Sequence, residues 1–334
     1  MTSRERFLAA LRGEPVDRVP VFPLLMFFAA DRAGISYRQF ATDAGALVEA
    51  QLRLQERFGL DAITSCSDAF RLSADLGGDM AYPEDRPPHL LQPLIAAETD
   101  LGGLGRPDPT TAGTRMADRL DAVHQMAEAS GGRYAVLGWV DMPFAEACSL
   151  CGVSQFMLLL QDEPPRAHAI LEVLSGMVID FALAQVQAGA DMVGAGDAAA
   201  SLVSLRAYRE FALPYEARVC EAVHGAGATA KLHVCGNTTH LLPAMAGCGA
   251  DLFNVDHMVP LAAARDAYRA QGKCFKCNLD PVTQMMEATP EQCRRAAQAC
   301  IAESGGRGYM LSAGCEVPAA TSDAVFEAFC RAGE

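Results

Sequence analysis

Residues 230–239 read Ala-Lys-Leu-His-Val-Cys-Gly-Asn-Thr-Thr and join a run of β-forming residues to a polar turn. The run from Ala230 to Val234 predicts a buried strand, and Gly236 marks the point where that strand ends. Side chains two residues apart on a strand point to the same face, so His233 and Cys235 are expected side by side. The segment therefore predicts a strand that presents two soft metal ligands at its carboxyl end.

A second segment of the same kind occurs near the end of the chain, where a short apolar run from Tyr309 to Leu311 precedes Cys315. Two thiolates and one imidazole from neighbouring strands make a three-ligand zinc site with an open fourth position, which is typical of catalytic zinc. The alternative is that Cys235 and Cys315 are two of twelve mostly buried cysteines and that His233 is hydrogen-bonded in the core.

Short apolar runs recur along the chain between amphipathic helical stretches. Eight of them are predicted as strands: Val19–Phe22, Asp61–Ser65, Tyr134–Trp139, Asp191–Ala195, Thr229–Val234, Leu252–Val255, Lys273–Cys277 and Gly308–Leu311. Alternating strands and helices predict a parallel sheet, and eight strands predict its closure as a TIM (β/α)8 barrel. We therefore expect an α/β fold in which residues 1–334 form one domain.

Two segments lie outside this alternation. The first eight residues have an amphipathic pattern and predict an N-terminal helical extension. Residues 71–129 contain a cluster of Pro, Gly and Asp between Asp79 and Pro88, which is unusual for a barrel connection. We expect this second segment to be an excursion, either a lid or a small hairpin over the barrel mouth.

Polar residues follow the carboxyl ends of six predicted strands, and this face carries the active site in TIM-barrel enzymes. These residues are Asp141, Asp197, His233 with Cys235, Asp256 with His257, Asn278, and Cys315. Their common position favours the metal site over the alternative of buried core residues. We expect His233, Cys235 and Cys315 to be catalytic. Substrate binding is expected from Asp141, Glu146, Asp197 and Asn278.

Charge and hydropathy narrow the classes of partner and compartment. The chain has 27 basic and 41 acidic residues, a net charge of −14, which argues against nucleic acid and anionic membranes as partners. The longest apolar stretch, Val19–Ala30, contains two prolines and is too short for a membrane span. We expect a soluble cytoplasmic protein whose cysteines are thiols, metal ligands or core residues. The pair Cys274 and Cys277 should face opposite sides of a strand and share no metal.

Several segments resemble the uroporphyrinogen decarboxylase superfamily over nearly the whole chain. They are Asp17-Arg18-Val19-Pro20, Asp197 with Tyr208, His233-x-Cys235-Gly236-Asn237, Gly249-Ala250-Asp251 and Asn278-Leu279-Asp280-Pro281. The His-x-Cys with a distant Gly-Cys resembles the corrinoid-dependent zinc methyltransferase branch of the MtaA/MtbA type. The resemblance implies a TIM barrel with Zn²⁺ on His233, Cys235 and Cys315. It also implies methyl transfer between a methylcobamide (cobalamin) on a corrinoid-binding protein and a small substrate, such as a thiol.

Three classes of function stay open at this point. The first is the zinc methyltransferase, which would act with a separate corrinoid protein because this chain has no Asp-x-His-x-x-Gly cobalamin motif. The second is a decarboxylase or lyase of the same fold, and the third is a non-catalytic zinc-binding barrel. The direction of transfer is also open, since the same site suits demethylation of a methoxy, methylthio or methylamine compound. A monomer and a homodimer are both compatible with the sequence.

The chain departs from the family pattern at two places that bear on the substrate. Where the decarboxylases carry an Arg-rich segment that grips carboxylates, this sequence has the apolar segment Pro23–Phe28, so porphyrinogen decarboxylation is not expected. Asp141 and Glu146 stand where small or hydroxyl residues are usual. Two acids in a poorly solvated cavity repel anions, so we expect a neutral or cationic substrate. The predicted apolar wall consists of Phe22, Met26, Phe27 and Phe28.

Two further assignments have explicit alternatives. If arginines such as Arg71 or Arg115 form ion pairs with Asp141 and Glu146, the two acids contribute no net electrostatic field at the substrate. Asp256 is a candidate fourth zinc ligand, because the cobalamin-independent methionine synthases resemble this chain in placing an acidic ligand one strand after the His-x-Cys. The alternative for Asp256 is that it accepts a hydrogen bond from His233 or caps a helix.

Overall fold

The computed structural model describes residues 1–96 and 98–334, and its centre is a curled sheet of parallel strands. Seven strands are adjacent in the order β1-β4-β5-β6-β7-β8-β9. Their bounds are β1 Ala62–Thr64, β4 Ala135–Asp141, β5 Met192–Gly196, β6 Thr229–Val234, β7 Leu252–Val255, β8 Cys274–Leu279 and β9 Tyr309–Ala313. The remaining strands, β2 Met80–Ala81 and β3 His89–Leu90, form a separate antiparallel pair. This is the expected α/β fold of TIM-barrel type.

The eighth position of the barrel is occupied by a segment that the sequence predicts as a strand, Val19–Phe22. Its residue Val21 makes an isolated parallel bridge to Leu311 of β9, and its carbonyl accepts from the Asp61 N–H just before β1. The segment thus closes the gap between the first and last strands. It is not a regular strand because Pro20 and Pro23 have no N–H to donate to a ladder.

Helices cover the outside of the sheet and connect successive strands. They are α1 Ser3–Leu11, α2 Phe27–Ala33, α3 Tyr37–Thr42, α4 Ala44–Phe58, α5 Arg71–Asp75, α6 Arg115–Ser130, α7 Pro143–Cys151, α8 Val153–Asp162, α9 Pro164–Gln187, α10 Leu205–Ala207, α11 Leu213–Gly225, α12 Leu242–Met245, α13 Leu261–Arg269, α14 Pro290–Ser304 and α15 Asp323–Cys330. Several begin at Ser, Thr or Asp side chains that accept from the first-turn N–H groups, as at Thr289 before α14.

The N-terminal extension is a helix, as predicted, and it closes one end of the barrel. Phe7 and Leu11 of α1 pack against interior residues near the amino ends of the strands, including Met310 of β9. Arg6 of α1 forms a buried ion pair with Asp61 at 2.6 Å. Access to the barrel interior is therefore confined to the carboxyl end of the strands.

The excursion between β1 and β4 is shorter than the sequence suggests. Strands β2 and β3 form the small hairpin, and Pro87 between them lies at the edge of the cavity described below. Residues from Arg115 onward belong to α6, which buries Met116, Val123 and Met126 and packs on β4 as an ordinary barrel helix. The amphipathic period of α6 is the signal that places the boundary before Arg115.

The described residues contain one helix, α9, whose length and apolar composition would suffice to cross a membrane. A second candidate arises only if α7 and α8, which meet at 109°, are counted as one span. More than half of the most apolar window of α9, 56%, is buried inside the fold against neighbouring helices and β4. This burial is what a core helix of a barrel requires.

Candidate metal centre

His233 and Cys235 lie where β6 ends, and their side chains share one face as the two-residue period requires. His233 Nε2 is 3.0 Å from Cys235 Sγ. Cys315 follows β9 and brings its Sγ to 3.9 Å from both Cys235 Sγ and His233 Nε2. The three predicted ligands therefore converge, although their strands are separated in the sheet by β7 and β8.

The spacing of these three atoms fits a zinc ion. Tetrahedral zinc with Zn–S near 2.3 Å and Zn–N near 2.0–2.1 Å requires S···S of about 3.8 Å and S···N of about 3.5 Å. The three ligand atoms lie within 4.8 Å of one another, and a shift of about half an ångström at His233 completes the match. The pKa of the Cys315 thiol lies below its ordinary value, chiefly because Cys235 donates a hydrogen bond to it. Cys315 is thus the residue of this group that favours the thiolate form.

Asn254 of β7 holds the group together, and the sequence analysis missed it. His233 Nδ1 is 3.2 Å from the Asn254 carbonyl oxygen, so Nδ1 is the protonated nitrogen and the Nε2 lone pair points to the two sulfurs. The Asn254 side chain donates to the Gly314 carbonyl at 3.2 Å, which fixes the turn that carries Cys315. The available signal was an amide two residues before Asp256 in an apolar strand, because that spacing places Asn254 on the inner face.

Asp256 lies next to the three converging side chains and holds the neighbouring backbone turns by hydrogen bonds. Its Oδ2 accepts from the Gly236 N–H at 2.9 Å, and its Oδ1 accepts from Met258 N–H and pairs with His257. Both oxygens are thus committed to the turns around Cys235, and the structure does not bring the carboxylate into the three-ligand group. The geometry agrees with a positioning role for Asp256 and does not support it as a fourth ligand. Asn278 is likewise structural, since its amide donates to the Val259 carbonyl at 2.8 Å.

Gly314 lies in the turn before Cys315, where the backbone passes close to His257. A Cβ at this position would lie 2.3 Å from the backbone nitrogen of His257. We expect Gly314→Ala to displace Cys315 and to weaken zinc binding about tenfold to a hundredfold, measured by competition with a chromogenic chelator. Gly225→Ala is the control, since a Cβ there meets nothing within 4 Å. Equal zinc affinity in both variants would contradict the role of the turn.

Two lysines occupy the barrel interior on the inner face beneath the metal centre. Lys231 Nζ lies 4.2 Å from the ring centroid of Trp139, and Lys276 Nζ donates to the Phe22 carbonyl at 2.7 Å. Burial lowers the pKa of Lys231 to about 8, while the nearby thiols of Cys66, Cys315 and Cys235 oppose that effect. Burial and the charge of Lys231 lower the pKa of Lys276 well below its ordinary value, so Lys231 is the residue whose positive charge favours thiolates above it.

A cavity of about 560 Å³ opens from the three ligands to the carboxyl face of the barrel. Its apolar wall includes Leu24, Met26, Phe27, Tyr37, Phe70 and Trp139. Its charged residues besides the ligands are Asp68, Asp141 and Glu316. Of the four apolar residues predicted for this wall, Met26 and Phe27 are in place. Phe22 lies deeper in the barrel and Phe28 packs on Phe326.

Arginines oppose the acids of this cavity, which is the alternative left open by the sequence. Arg71, which is 2% exposed, donates to the Asp141 carboxylate and to the Asp68 carbonyl. Arg115 donates to the Asp68 carboxylate at 2.7 Å. Burial raises the pKa of Asp141 to about 6, and the charge of Arg71 opposes that shift. Asp141 therefore contributes little net field to the cavity.

Glu316 and Glu146 are both buried acids, but only Glu316 lines the cavity. Glu316, next to Cys315, accepts backbone hydrogen bonds from Met26 and Phe27 and lines the cavity, and burial raises its pKa to about 8. Glu146 lies behind Asp141 in α7 and does not line the cavity. Among the residues that the structure describes, its Oε2 has no hydrogen-bond partner, and burial raises its pKa well above the usual range. The structure therefore corrects the expected substrate contact of Glu146.

Asp197 is also outside the cavity, although it follows β5 as predicted. It is fully buried beside Glu216 of α11, which accepts a hydrogen bond from the Tyr208 hydroxyl. Burial raises the pKa of Glu216 to about 7 and, together with the charge of Glu216, that of Asp197 well above its usual range. The two carboxyls thus form a buried acidic pair inside the fold and do not line the cavity.

This pair predicts a pH effect on stability. A buried carboxyl with a raised pKa stabilises the fold most below its ordinary pKa near 4.5, and that stability is lost as pH rises to about 7. We expect Glu216→Gln to reduce the decline in unfolding free energy between pH 5.5 and 7 by about 2 kcal/mol. Urea unfolding at the two pH values measures this. Glu172→Gln, which removes an exposed partner of Arg218, should keep the wild-type slope.

Comparison with known proteins shows which family this chain resembles along its whole length. The sequence profile of the uroporphyrinogen decarboxylase (URO-D) family matches residues 2–334. Uroporphyrinogen decarboxylase of Nitrosococcus oceani is 29% identical over 331 residues, covering 93% of this chain and 90% of the relative. Methylcobamide:CoM methyltransferase MtbA of Methanosarcina mazei is 28% identical over 330 residues, covering 97% and 95%.

Solved structures agree on the fold. A methyltransferase from Methanosarcina mazei superposes with a TM-score of 0.90 at 23% identity, covering 99% of this chain and 98% of the other. A B12-independent methionine synthase from Shewanella sp. W3-18-1 gives a TM-score of 0.58 at 12% identity, covering 86% and 84%. The matched fold and the full-length profile lead to one conclusion: the chain belongs to the uroporphyrinogen decarboxylase family of enzymes.

Proposed function

We propose that this protein is a zinc-dependent methyltransferase that moves a methyl group between a corrinoid carried by a partner protein and a small substrate. The observation that supports this most is the convergence of His233, Cys235 and Cys315 at the floor of an apolar cavity. Two thiolates and one neutral imidazole balance the charge of Zn²⁺, which would supply Lewis acidity for a substrate sulfur or oxygen at its open position.

The residues of the chain prepare this site for an uncharged substrate. The imidazole of His233 is held by the Asn254 carbonyl with Nε2 free, so it binds metal without a proton to lose. Phe27, Tyr37 and Trp139 exclude water around the open position. No Arg or Lys side chain is among the cavity-lining residues that the structure describes, so nothing there would compensate a sulfonate or carboxylate. The substrate is therefore neutral, with an apolar or aromatic body.

Anions are thus excluded for a different reason from the one suggested by the sequence. The expected repulsion by Asp141 and Glu146 is weak, because Arg71 pairs with Asp141 and Glu146 lies outside the cavity. What disfavours an anion is the lack of a cationic partner in a cavity with an apolar wall. The aromatic wall suits the apolar body of a neutral thiol, and equally that of a methoxy or methylthio compound.

The rim of the barrel supports a protein partner at the same face. Leu202, Met258 and Val282 are 68%, 55% and 44% exposed. They belong to the segments that follow β5, β7 and β8, so they surround the carboxyl end of the barrel. Exposed apolar residues around one opening are typical of a protein interaction surface. This position suits a corrinoid protein that presents its cofactor to the cavity.

The test is a demethylation assay with methylcobalamin and a panel of thiols, followed by absorbance. We expect zinc-loaded protein to transfer the methyl group to a neutral thiol faster than to coenzyme M, and zinc-depleted protein to be inactive. The Cys315→Ala variant is the matched control. Undiminished transfer after zinc removal would refute the proposal. Release of CO₂ from a carboxylated substrate without methyl transfer would favour the decarboxylase alternative, the activity for which the Nitrosococcus oceani relative is named.

A further inference from the structure

A basic groove lies at the amino end of the barrel, opposite the cavity. It has a volume of about 460 Å³ and is lined by Arg12, Arg269, Lys273 and Arg307 among glycines. Lys273 directly precedes β8, and Arg307 lies just before β9. Since a strand rises about 3.3 Å per residue, the groove is roughly 20 Å from the metal centre. It is therefore a site separate from the proposed methyl transfer.

The charge of this groove is opposite to that of the whole chain. The net charge is −14, yet four cationic side chains converge here. Arg12 pairs with Glu14 at 2.8 Å, whereas Arg269, Lys273 and Arg307 form no ion pair with any carboxylate of the described residues. The nearest acid along α13, Asp266, is engaged by Arg265 at 2.8 Å. Three like charges left without counter-charges repel one another unless an anion joins them.

Backbone contacts hold the cations in place and leave the space between them open. Arg269 donates to the Arg307 carbonyl at 2.6 Å, and Lys273 donates to the Gly249 carbonyl at 3.3 Å. Gly305 has a φ of +69°, and a Cβ there would come within 3.2 Å of the Arg269 guanidinium. Glycine at this position lets Arg269 lie across the loop between α14 and β9. The cations are thus positioned by the fold and still have donors free.

We propose that this groove binds an oligophosphate anion, either free or as part of a nucleotide. Guanidinium groups bind phosphate through two parallel hydrogen bonds, and lysine adds a point charge. A single carboxylate would neutralise only one of the three unpaired cations, whereas a chain of phosphates carries several negative charges within one ligand. The groove is larger than inorganic phosphate requires, which agrees with a ligand of several linked groups.

The test is calorimetric titration of the full-length protein with tripolyphosphate and with ATP at 150 mM salt, a concentration that screens diffuse surface attraction. We expect binding by the wild type, and at least about tenfold weaker binding in Arg269→Gln and in Arg307→Gln. Arg209→Gln is the control, because Arg209 is an exposed arginine outside the groove. Tighter binding of ATP than of tripolyphosphate would identify a nucleotide, and equal binding would identify the phosphate chain alone.

Thermal unfolding of each variant, together with Lys273→Gln as a third substitution, separates lost binding from lost folding. Methyl transfer is not needed for this readout, so failure of the proposed enzyme function would leave the result interpretable. Absence of binding by the folded wild type, or equal affinity in the wild type and in the folded Arg269→Gln/Arg307→Gln double variant, would overturn the proposal.

Discussion

Replacing Cys315 with Ala, or Cys235 with Ser, is expected to remove zinc and abolish methyl transfer. Each substitution leaves two of the three converging ligands, and Cys315 also provides the thiolate that is favoured in the group. If each ligand supplies about 3 kcal/mol of the binding free energy typical of zinc sites, its loss weakens binding by about a hundredfold or more. Metal analysis after gel filtration should fall from about one zinc per chain to near zero.

The matched controls come from the second cysteine pair. Cys274 and Cys277 are both buried in β8, and they belong to opposite faces of the strand, with Cys274 in the barrel interior and Cys277 in the outer core. We expect Cys274→Ala and Cys277→Ala to retain full zinc and to lose only a little stability. Retention of zinc in both Cys235→Ser and Cys315→Ala would refute the assignment of the centre.

The convergence of His233, Cys235 and Cys315 was predictable because two simple rules determine it. The period of two along a strand places His233 and Cys235 on one face, and the carboxyl ends of parallel strands meet at one face of a barrel. These rules do not depend on which side chains pack between the strands. They therefore predicted that the three side chains converge, even though β7 and β8 separate the strand before Cys315 from β6 in the sheet.

The same rules were insufficient for the residues around the cavity. They place Asp197 at the correct end of β5, but they do not show that its side chain turns away from the cavity toward Glu216. They also do not show that Arg71, which is distant in sequence, pairs with Asp141. Such pairings depend on how helices pack on the sheet, and a single sequence does not encode that packing in a local pattern.

The segment that closes the barrel shows what an apolar run in the sequence does not predict, namely how regular the strand is. The run Val19–Phe22 has the composition of a strand, and the structure does use it as the eighth member of the barrel. The prolines at positions 20 and 23 remove two donors, so only isolated bridges form. Hydropathy therefore indicated the position of this segment in the barrel, and backbone chemistry determined how regular it is.

Arg71→Met should produce the largest loss of stability among single substitutions that leave the metal ligands intact. Arg71 is buried, donates to the Asp141 carboxylate and also opposes the charges of Asp68 and Glu146. Removing one partner of a buried ion pair leaves an uncompensated charge and costs about 3–5 kcal/mol. We expect a loss of this size in the unfolding free energy at pH 8, measured by urea denaturation. Arg106→Met, which breaks an exposed pair with Asp180, should change it by about 1 kcal/mol or less.

The sign of the pH dependence distinguishes lost charge pairing from lost packing. Burial already raises the pKa of Asp141 to about 6, and loss of the opposing arginine raises it further. The folded variant therefore carries its uncompensated charge above that pKa and loses it as pH falls, so its deficit should shrink at pH 5. The double variant Arg71→Met/Asp141→Leu should recover part of the stability at pH 8, because no buried charge remains unpaired at that position. A deficit that is the same at pH 5 and pH 8, with no recovery in the double variant, would show that Arg71 acts through its packing alone.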